Sequence, residues 1–345
     1  MSTPEVRPLV LVVGVGRSGT SLLAGMLGQI GFQIPQPEVQ ADDTNPRGFG
    51  EPRWVVDFHS RLMRRRRVTV NDSRPAAWES TGAAAQDPEV LAELRAWLAT
   101  ELGGPAAVVV KDPRTVWFLP LWMRCAADLG TPTSFVTMLR HPAEILTSAR
   151  KSYGTWQADA SRAAAWLNVT LETEHATREA RRAFVRYEDL LADWDRELRR
   201  AGELLGSPEL AAVDRARLPE VDRFVDPTLH RNRVRWDDLD VPPRVRDMAE
   251  DVWRELQPLA EPGGDSAATR AALDAARAAY AELYAEAEAI SQSSVTAAKP
   301  RRNRAASAAA APKRPPSLRV RLARRVPAPY RRRLRHVLRR LAPRS

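Results

Sequence analysis

The fold is decided by residues 9–30, which contain the run Gly14-Val15-Gly16-Arg17-Ser18-Gly19-Thr20-Ser21. Residues 9–13 are apolar and mostly β-branched, which is typical of a strand buried inside a parallel sheet. From Thr20 to Ile30, small and apolar residues recur at helical spacing. The chain therefore opens with a strand, a glycine loop (residues 14–19) and a helix. We expect the backbone N–H groups of this loop to hold an anion.

Three further apolar runs predict buried strands, at 106–110, 134–139 and 183–186. Helical patterns lie around them, at 54–63, from 88 onward, at 115–129 (interrupted or starting late at Pro120), 142–152, 157–181, 190–205, 244–256 and 267–290. Strands that alternate with helices predict an α/β fold, a parallel sheet flanked by helices in three layers. Ligands bind such sheets at the carboxyl ends of the strands, so the residues after each strand are the candidate functional residues.

The charge is divided unequally along the chain. The formal net charge is +10, but residues 291–345 hold 17 of the 53 basic side chains and no acidic one. The first 290 residues keep 36 basic against 43 acidic side chains, a net charge of −7. We therefore predict an α/β domain over residues 1–290 and a basic tail over 291–345. The overall charge does not predict specific nucleic-acid binding, because it belongs to the tail.

The composition excludes several classes of protein. With 44% hydrophobic and 28% charged residues, the chain is typical of a soluble enzyme and not of a disordered or fibrous protein. Cys125 is the one cysteine, which excludes an internal disulfide framework and a multi-cysteine zinc site. The longest strongly apolar run, residues 9–15, is much shorter than a membrane span of about 20 residues, and no secretory signal is recognised. A cytoplasmic protein is expected.

The glycine loop departs from the ATP-binding pattern G-x-x-x-x-G-K-[ST] at one position. Gly14, Gly19 and Ser21 keep the spacing, but Thr20 stands where the pattern has lysine. The positive charge lies inside the loop instead, at Arg17. The three glycines also satisfy G-x-G-x-x-G, a pattern that is weak by itself. We predict that the loop holds a phosphate or sulfate group in a manner different from an ATPase loop.

A second anion-binding pair is predicted after the third strand. Arg140 falls at the end of that strand, and Ser148 lies eight residues later, two turns along the following helix. A planar guanidinium and a hydroxyl at this spacing are suited to holding one phosphate. A purely structural arginine is the alternative interpretation.

The two anion sites together resemble the sulfotransferase superfamily that uses 3′-phosphoadenosine 5′-phosphosulfate (PAPS). Residues 17–22 match its pattern x-R-S-G-T-[ST]-L, and residues 140–148 match its R-[NDH]-P with a serine eight residues after the arginine. Residues 111–113 and 187–190 match K-D-P and Y-E-D-L, which occur in tyrosylprotein and bacterial members. The resemblance covers about residues 8–235 and implies a P-loop-like sulfotransferase fold.

The resemblance also implies a donor, a reaction and the residues that bind the donor. PAPS would be the co-substrate, and no metal ion is expected. The 5′-phosphosulfate is expected at Gly16, Arg17, Ser18, Gly19, Thr20 and Ser21, and the 3′-phosphate at Arg140 and Ser148. The implied reaction transfers a sulfuryl group to a hydroxyl or amine of a carbohydrate, lipid-linked or small-molecule acceptor and releases 3′,5′-ADP.

Four residues are candidates for the chemistry itself. The resemblance implies that Lys111 contacts the bridging oxygen of the donor, with a salt bridge to Asp112 or to a neighbouring residue as the alternative. Glu51 is the expected general base, since tyrosylprotein and bacterial members use a glutamate after the first helix; a surface acid is the alternative. His59 is the rival base. Arg114 is expected to fix the sulfate or the acceptor, and a structural ion pair is equally compatible with its position.

Other polar residues after the strands are given supporting roles. Tyr187 is expected to pack under the sheet, Asp189 to cap the next helix and His141 to orient its turn. His230 and Arg231 are candidates to approach the 3′-phosphate from a late loop.

The tail has three open interpretations. In residues 330–341 the apolar side chains fall on one helical face and arginines surround them, which predicts an amphipathic helix. Residues 317–345 would then dock on an anionic membrane surface, at the inner face of the membrane. A disordered, solvated charge run is the second interpretation, and binding of nucleic acid or a polyanionic glycan is the third.

Two other functions remain open beside the sulfotransferase. A variant P-loop kinase acting on a small molecule is disfavoured by Thr20 and by Lys111, which ends the second strand where such a kinase has an acid. A non-catalytic binding protein at a membrane surface would keep the anion site without turnover.

Overall fold

A four-stranded parallel sheet organises the fold, which is α/β as the sequence predicts. The structure is a computed structural model that describes residues 7–43, 45, 47–225 and 236–298. The strands are β1 Leu9–Val13, β2 Val108–Lys111, β3 Thr133–Leu139 and β4 Arg181–Arg186, in the spatial order β2-β1-β3-β4. The α-helices are α1 Thr20–Ile30, α2 Arg53–Arg66, α3 Ala77–Gly82, α4 Pro88–Glu101, α5 Leu119–Asp128, α6 Pro142–Tyr153, α7 Asp159–Ala176, α8 Tyr187–Ala192, α9 Trp194–Leu205, α10 Pro208–Ala211, α11 Pro219–Phe224, α12 Pro243–Leu256 and α13 Ala267–Ala298.

Strand β1 lies in the middle of the sheet and is buried on both faces. Leu11 pairs with Val110 of β2 on one side and with Phe135 of β3 on the other. Leu9, Leu11 and Val13 face a core built from α2, α4 and α5. Val10 and Val12 face a second core built from α1, α8 and α9. This double burial explains why the opening run is apolar without alternation, and it gives the three layers that the sequence predicts.

All four strands are parallel, so their carboxyl ends lie at the same edge of the sheet. The glycine loop follows β1, Lys111 ends β2, Arg140 follows β3 and Tyr187 follows β4. The fold therefore gathers at one edge the residues that the sequence singles out from four distant segments.

The helix predicted over 115–129 does start late near Pro120, whereas other predictions differ from the structure. Residues 115–118 form a 3-10 turn, and α5 begins only at Leu119 with Pro120 in its first turn. The helix predicted over 190–205 is divided into α8 and α9 at Asp193, whose φ of −152° is not helical. The cap predicted at Asp189 is wrong, because Asp189 lies in the first turn of α8 and pairs with Arg186 at 2.9 Å.

The described residues up to Glu288 belong to one compact unit, and the second unit begins at Ala289, within α13. No helix in the described ranges is both long and apolar enough to cross a membrane. The predicted domain boundary at 290/291 remains a prediction. The predictions for His230, Arg231 and residues 317–345, including the helix at 330–341, lie outside the described residues.

Candidate active site

A cavity of about 940 Å³ opens at the carboxyl edge of the sheet. This volume is in the range of pockets that hold cofactors and drug-sized ligands. Eight basic side chains and three acidic ones line it. The excess of positive charge suits a ligand that carries several negative charges.

The glycine loop forms the floor of the cavity beside the start of α1. Gly14, Arg17 and Gly19 have positive φ angles of 129°, 73° and 102°, which fold the backbone sharply back into the helix. The first N–H groups of α1 have no intrahelical partner, and no side chain caps them. At Gly19, a Cβ atom would lie 2.4 Å from Cδ2 of Tyr187, so only glycine fits there. An anion bound at this helix N-terminus would accept hydrogen bonds from these backbone N–H groups.

The two predicted anion sites meet in the structure. Arg17 Nε donates to Ser148 Oγ at 3.0 Å, and Arg140 Nη1 donates to the carbonyl oxygen of Arg17 at 3.2 Å. Arg140 is only 9% exposed; its Nε donates to Glu144 at 2.9 Å, and its guanidinium lies 4.4 Å from the ring centroid of Tyr187. These contacts join the glycine loop, the end of β3 and α6 in one cationic corner.

Lys111 links this corner to the predicted base. Its side chain is 3% exposed, and Nζ donates to Ser21 Oγ at 2.9 Å, to the carbonyl oxygen of Phe49 at 3.2 Å and to Glu51 Oε1 at 2.6 Å. An ammonium group has three protons, so all three have acceptors. Lys111 therefore does form a salt bridge, as the alternative interpretation expected, but its partner is Glu51 and not Asp112.

Burial dominates the protonation of this pair. Burial raises the pKa of Glu51 above its ordinary value, and the charge of Lys111 opposes that rise. Burial likewise lowers the pKa of Lys111, and Glu51 opposes that change. A carboxylate with a raised pKa is a better proton acceptor near neutral pH than an exposed one. Arg114 Nη1 lies 3.9 Å from Glu51 Oε2, so a second cation borders the same carboxylate.

Asp112 lies behind the cavity lining, and the sequence interpretation missed its contacts with His59 and Arg114. It is fully buried, and its Oδ1 accepts from the backbone N–H of Arg114 at 3.1 Å and from Arg114 Nη1 at 2.7 Å. Burial alone would raise the pKa of Asp112, but the hydrogen bond from His59 and the charge of Arg114 hold the pKa at about 2. The signal in the sequence that could have found Asp112 is its position: it is an acidic residue directly after Lys111, which ends a buried strand and lines the cavity.

Two predicted site side chains do not reach the cavity. His59 is fully buried, is not among the cavity-lining residues, and has Asp112 and Trp122 against its two ring nitrogens. Ser18 is also buried and absent from the lining; within the described residues, its Oγ has no hydrogen-bond partner. The other predicted residues do line the cavity, namely Gly16, Arg17, Gly19, Thr20, Ser21, Glu51, Lys111, Arg114, Arg140 and Ser148.

Two tyrosines complete the lining. Tyr187, expected only to pack under the sheet, contacts the Arg140 guanidinium and faces the cavity. Tyr153, at the end of α6, lies under the Arg17 guanidinium at 5.9 Å from its ring centroid. The described part of the chain contains no group of three or more metal-ligating side chains.

Comparison with known proteins identifies the family of the chain. The chain matches a family model described as "Sulfotransferase family" over residues 8–212. Two similar solved structures are the "Sulfotransferase Domain from the Curacin Biosynthetic Pathway" (16% identity, TM-score 0.38, 78% of this chain and 97% of that chain) and the "Sulfotransferase Domain from the Synechococcus PCC 7002 Olefin Synthase" (17%, 0.36, 80% and 97%). At these TM-scores, neither structure carries an argument of its own. No curated protein sequence matches the chain significantly.

Proposed function

Because the chain belongs to the sulfotransferase family, we propose that it transfers a sulfuryl group from PAPS to a hydroxyl or amine and releases 3′,5′-ADP. The observation that carries the proposal is the single cavity that joins an uncapped helix N-terminus, a buried arginine and a buried Lys111–Glu51 pair. The first two suit a donor with two separated anionic groups, and the pair suits proton removal from an acceptor.

The residues present fit the donor. The glycine loop, with Arg17, Thr20 and Ser21, would hold the 5′-phosphosulfate, and Arg140 with Ser148 would hold the 3′-phosphate. PAPS supplies an activated sulfuryl group when it is bound. The uncapped N–H groups of α1 and the guanidinium of Arg17 are the chain's own contribution, because they are in place before any ligand arrives.

Two residues are proposed for the chemistry. Glu51 accepts the proton of the acceptor hydroxyl or amine, which its burial and raised pKa favour. Lys111 stabilises the negative charge that develops on the leaving oxygen, since its ammonium already donates to Ser21 at the start of α1. Arg114, beside Glu51, is proposed to orient the acceptor.

The acceptor is proposed to be a carbohydrate, a lipid-linked hydroxyl or another small molecule. The cationic lining of the cavity favours acceptors that are themselves polar or anionic. The kinase alternative has less support, since β2 ends in a lysine paired with Glu51 and not in a metal-binding acid.

Radiolabelled sulfate transfer tests the proposal. We expect the full chain to release 3′,5′-ADP from [³⁵S]PAPS faster when a panel of sugar, lipid-linked and amine acceptors is added. Glu51→Gln should slow transfer by about 100-fold or more, the usual contribution of a general base, while the protein still binds 3′,5′-ADP. Glu93→Gln, which removes an exposed acid paired with Arg61, is the matched control and should be unaffected. Equal transfer rates in Glu51→Gln and the wild type would contradict the role of Glu51.

A further inference from the structure

A buried series of hydrogen bonds reaches the candidate active site from the protein interior. Trp122 Nε1 donates to His59 Nε2 at 2.9 Å, and His59 Nδ1 lies 2.7 Å from Asp112 Oδ2. Arg114 donates to the other oxygen of Asp112, through Nη1 at 2.7 Å and the backbone N–H at 3.1 Å. His59 and Asp112 are both fully buried. Such a desolvated set of polar groups is stable only when each member keeps its partners.

The geometry fixes where the proton of His59 lies. An indole nitrogen can only donate, so His59 Nε2 must accept from Trp122. Nδ1 therefore carries the proton and donates to Asp112 Oδ2. The imidazole ring also stacks on Phe118, with a centroid distance of 5.0 Å and an interplanar angle of 15°. His59 is thus held as an oriented donor to Asp112, and it has no free nitrogen for an external proton.

Arg114 connects the buried hydrogen bonds to the cavity. One oxygen of Asp112 is occupied by His59 and the other by Arg114, so the carboxylate cannot turn without losing a partner. Arg114 Nη1 lies 3.9 Å from Glu51 Oε2, whereas Lys111 contacts Glu51 Oε1 at 2.6 Å. The proposed base is therefore bordered by a different cation at each oxygen.

We propose that His59 and Asp112 are positioning residues that hold the Arg114 guanidinium beside Glu51. The proposal rests on the proposed function only in taking Glu51 as the base. The positioning of the Arg114 guanidinium is a property of the protein without ligand. The charged groups that face Glu51 are Lys111, Asp112 and Arg114: the two cations favour its carboxylate form, and Asp112 opposes it. A freed Arg114 guanidinium would leave Oε2 with less positive charge, and Glu51 would bind a proton more readily.

NMR of the full chain without ligand tests the proposal and does not depend on the donor or the acceptor. The side-chain nitrogen signals of Arg114, assigned by their loss in Arg114→Met, report whether the guanidinium is held or rotates. The ¹³C carboxyl signal of Glu51, assigned by its loss in Glu51→Gln, reports its titration midpoint. In the wild type we expect the Nη protons of Arg114 to be separately resolved. A freely rotating Arg114 in the wild type would overturn the proposal without any variant.

Variants at His59 separate positioning from packing. His59→Phe keeps a ring against Phe118 but removes the donor to Asp112. We expect the Arg114 signals of this variant to be averaged. We also expect the titration midpoint of Glu51 to move to higher pH, the same direction as in Arg114→Met. His59→Asn, which keeps an N–H near the Nδ1 position, should restore both readouts toward the wild type. A folded His59→Phe protein with wild-type Arg114 signals and midpoint would overturn the proposal. If His59→Phe does not fold, Asp112→Asn decides: it keeps the shape of the side chain but removes the carboxylate that accepts from both His59 and Arg114, and wild-type Arg114 signals in that variant would overturn the proposal.

Discussion

At the scale of single residues, Lys111 is the point where the donor site and the proposed base meet. Its ammonium donates to Ser21 at the start of α1 and to Phe49 and Glu51 in the loop before α2. Since all three protons are committed, a ligand oxygen that bonds to Lys111 must compete with one of these acceptors. We therefore expect occupancy of the proposed donor site to affect Glu51 through one buried side chain.

Gly19→Ala should disrupt the donor site through a clash. A Cβ atom at Gly19 would lie 2.4 Å from Tyr187, the ring on which the Arg140 guanidinium rests. We expect a loss of about 2–4 kcal/mol in the free energy of unfolding, from strain at positive φ together with displacement of a packed ring. Binding of 3′,5′-ADP should be lost as well, because Arg140 would move with the ring. Urea unfolding and calorimetry measure the two effects.

Gly31→Ala is the matched control for the backbone strain. Gly31 ends α1 with a φ of 110°, close to that of Gly19, but a Cβ atom there would meet nothing within 4 Å. It should cost only about 1 kcal/mol and leave nucleotide binding intact. Equal effects of the two substitutions would contradict a role for the contact with Tyr187.

At the scale of elements, the end of β2 couples α1 to the loop of residues 48–51. Without a ligand, the charge of Lys111 opposes the rise in the pKa of Glu51. An anionic ligand beside Ser21 would interact with the same ammonium group and weaken that effect. Binding of 3′,5′-ADP should therefore raise the pKa of Glu51 again, and the protein should take up part of a proton on binding near that pKa.

Calorimetry in two buffers of different ionisation enthalpy measures this proton uptake. Glu51→Gln serves as the reference, because it removes the titrating group while the proton exchange of the ligand itself remains. The wild type should take up more protons than Glu51→Gln at the same pH. Identical buffer dependence in the two proteins would show that the donor site and Glu51 are not coupled.

The elements were predictable where the signal is local. The apolar run of β1, the glycine loop and the small apolar residues after Thr20 predict β1 and α1 with the bounds that the structure has. The contacts between Lys111 and Glu51 and between His59 and Asp112 join residues 60 and 53 positions apart, so no local pattern contains them. His59 was considered as a base because its residue type is suited to that chemistry, but burial and its two partners decide its position.

The break between α8 and α9 was not predicted from the sequence, for a related reason. Apolar residues continue at helical spacing through 190–205, and nothing in that periodicity marks Asp193 as the residue whose backbone leaves the helix. Tyr187 packs in the core beside the sheet, as predicted, and its ring in addition supports a cavity-lining arginine.

At the scale of the whole molecule, two regions with an excess of positive charge bear on function. One is the lining of the cavity, and the other is the tail, which holds 17 basic and no acidic side chains over residues 291–345. Six arginines fall within residues 331–340 of the tail. Each would contribute on the order of 1 kcal/mol near an anionic surface, so we propose that the tail attaches the protein to anionic membranes.

Vesicle sedimentation tests the membrane proposal. The full chain should bind phosphatidylserine-containing vesicles, and deletion of residues 317–345 should abolish that binding while leaving the melting temperature of the remainder unchanged. Replacement of Leu334, Leu338 and Leu341 by serine is the matched control for charge alone and should weaken binding. Unchanged vesicle binding after the deletion would remove the tail from this role.

Ligand-induced stabilisation of the full chain tests most directly whether this cavity binds the nucleotide part of PAPS, as we propose. The ligands are 3′,5′-ADP, plain ADP, and ATP with Mg²⁺. At a ligand concentration 100 times the dissociation constant, binding adds about 2.7 kcal/mol to the free energy of unfolding. We predict that 3′,5′-ADP gives this stabilisation, that plain ADP gives much less, and that Arg140→Ala loses the difference. Arg124→Ala, which changes an arginine of α5 bonded to Ala85, should behave as the wild type. Stabilisation by ATP with Mg²⁺ in preference to 3′,5′-ADP would contradict the account and make the glycine loop the site of a kinase.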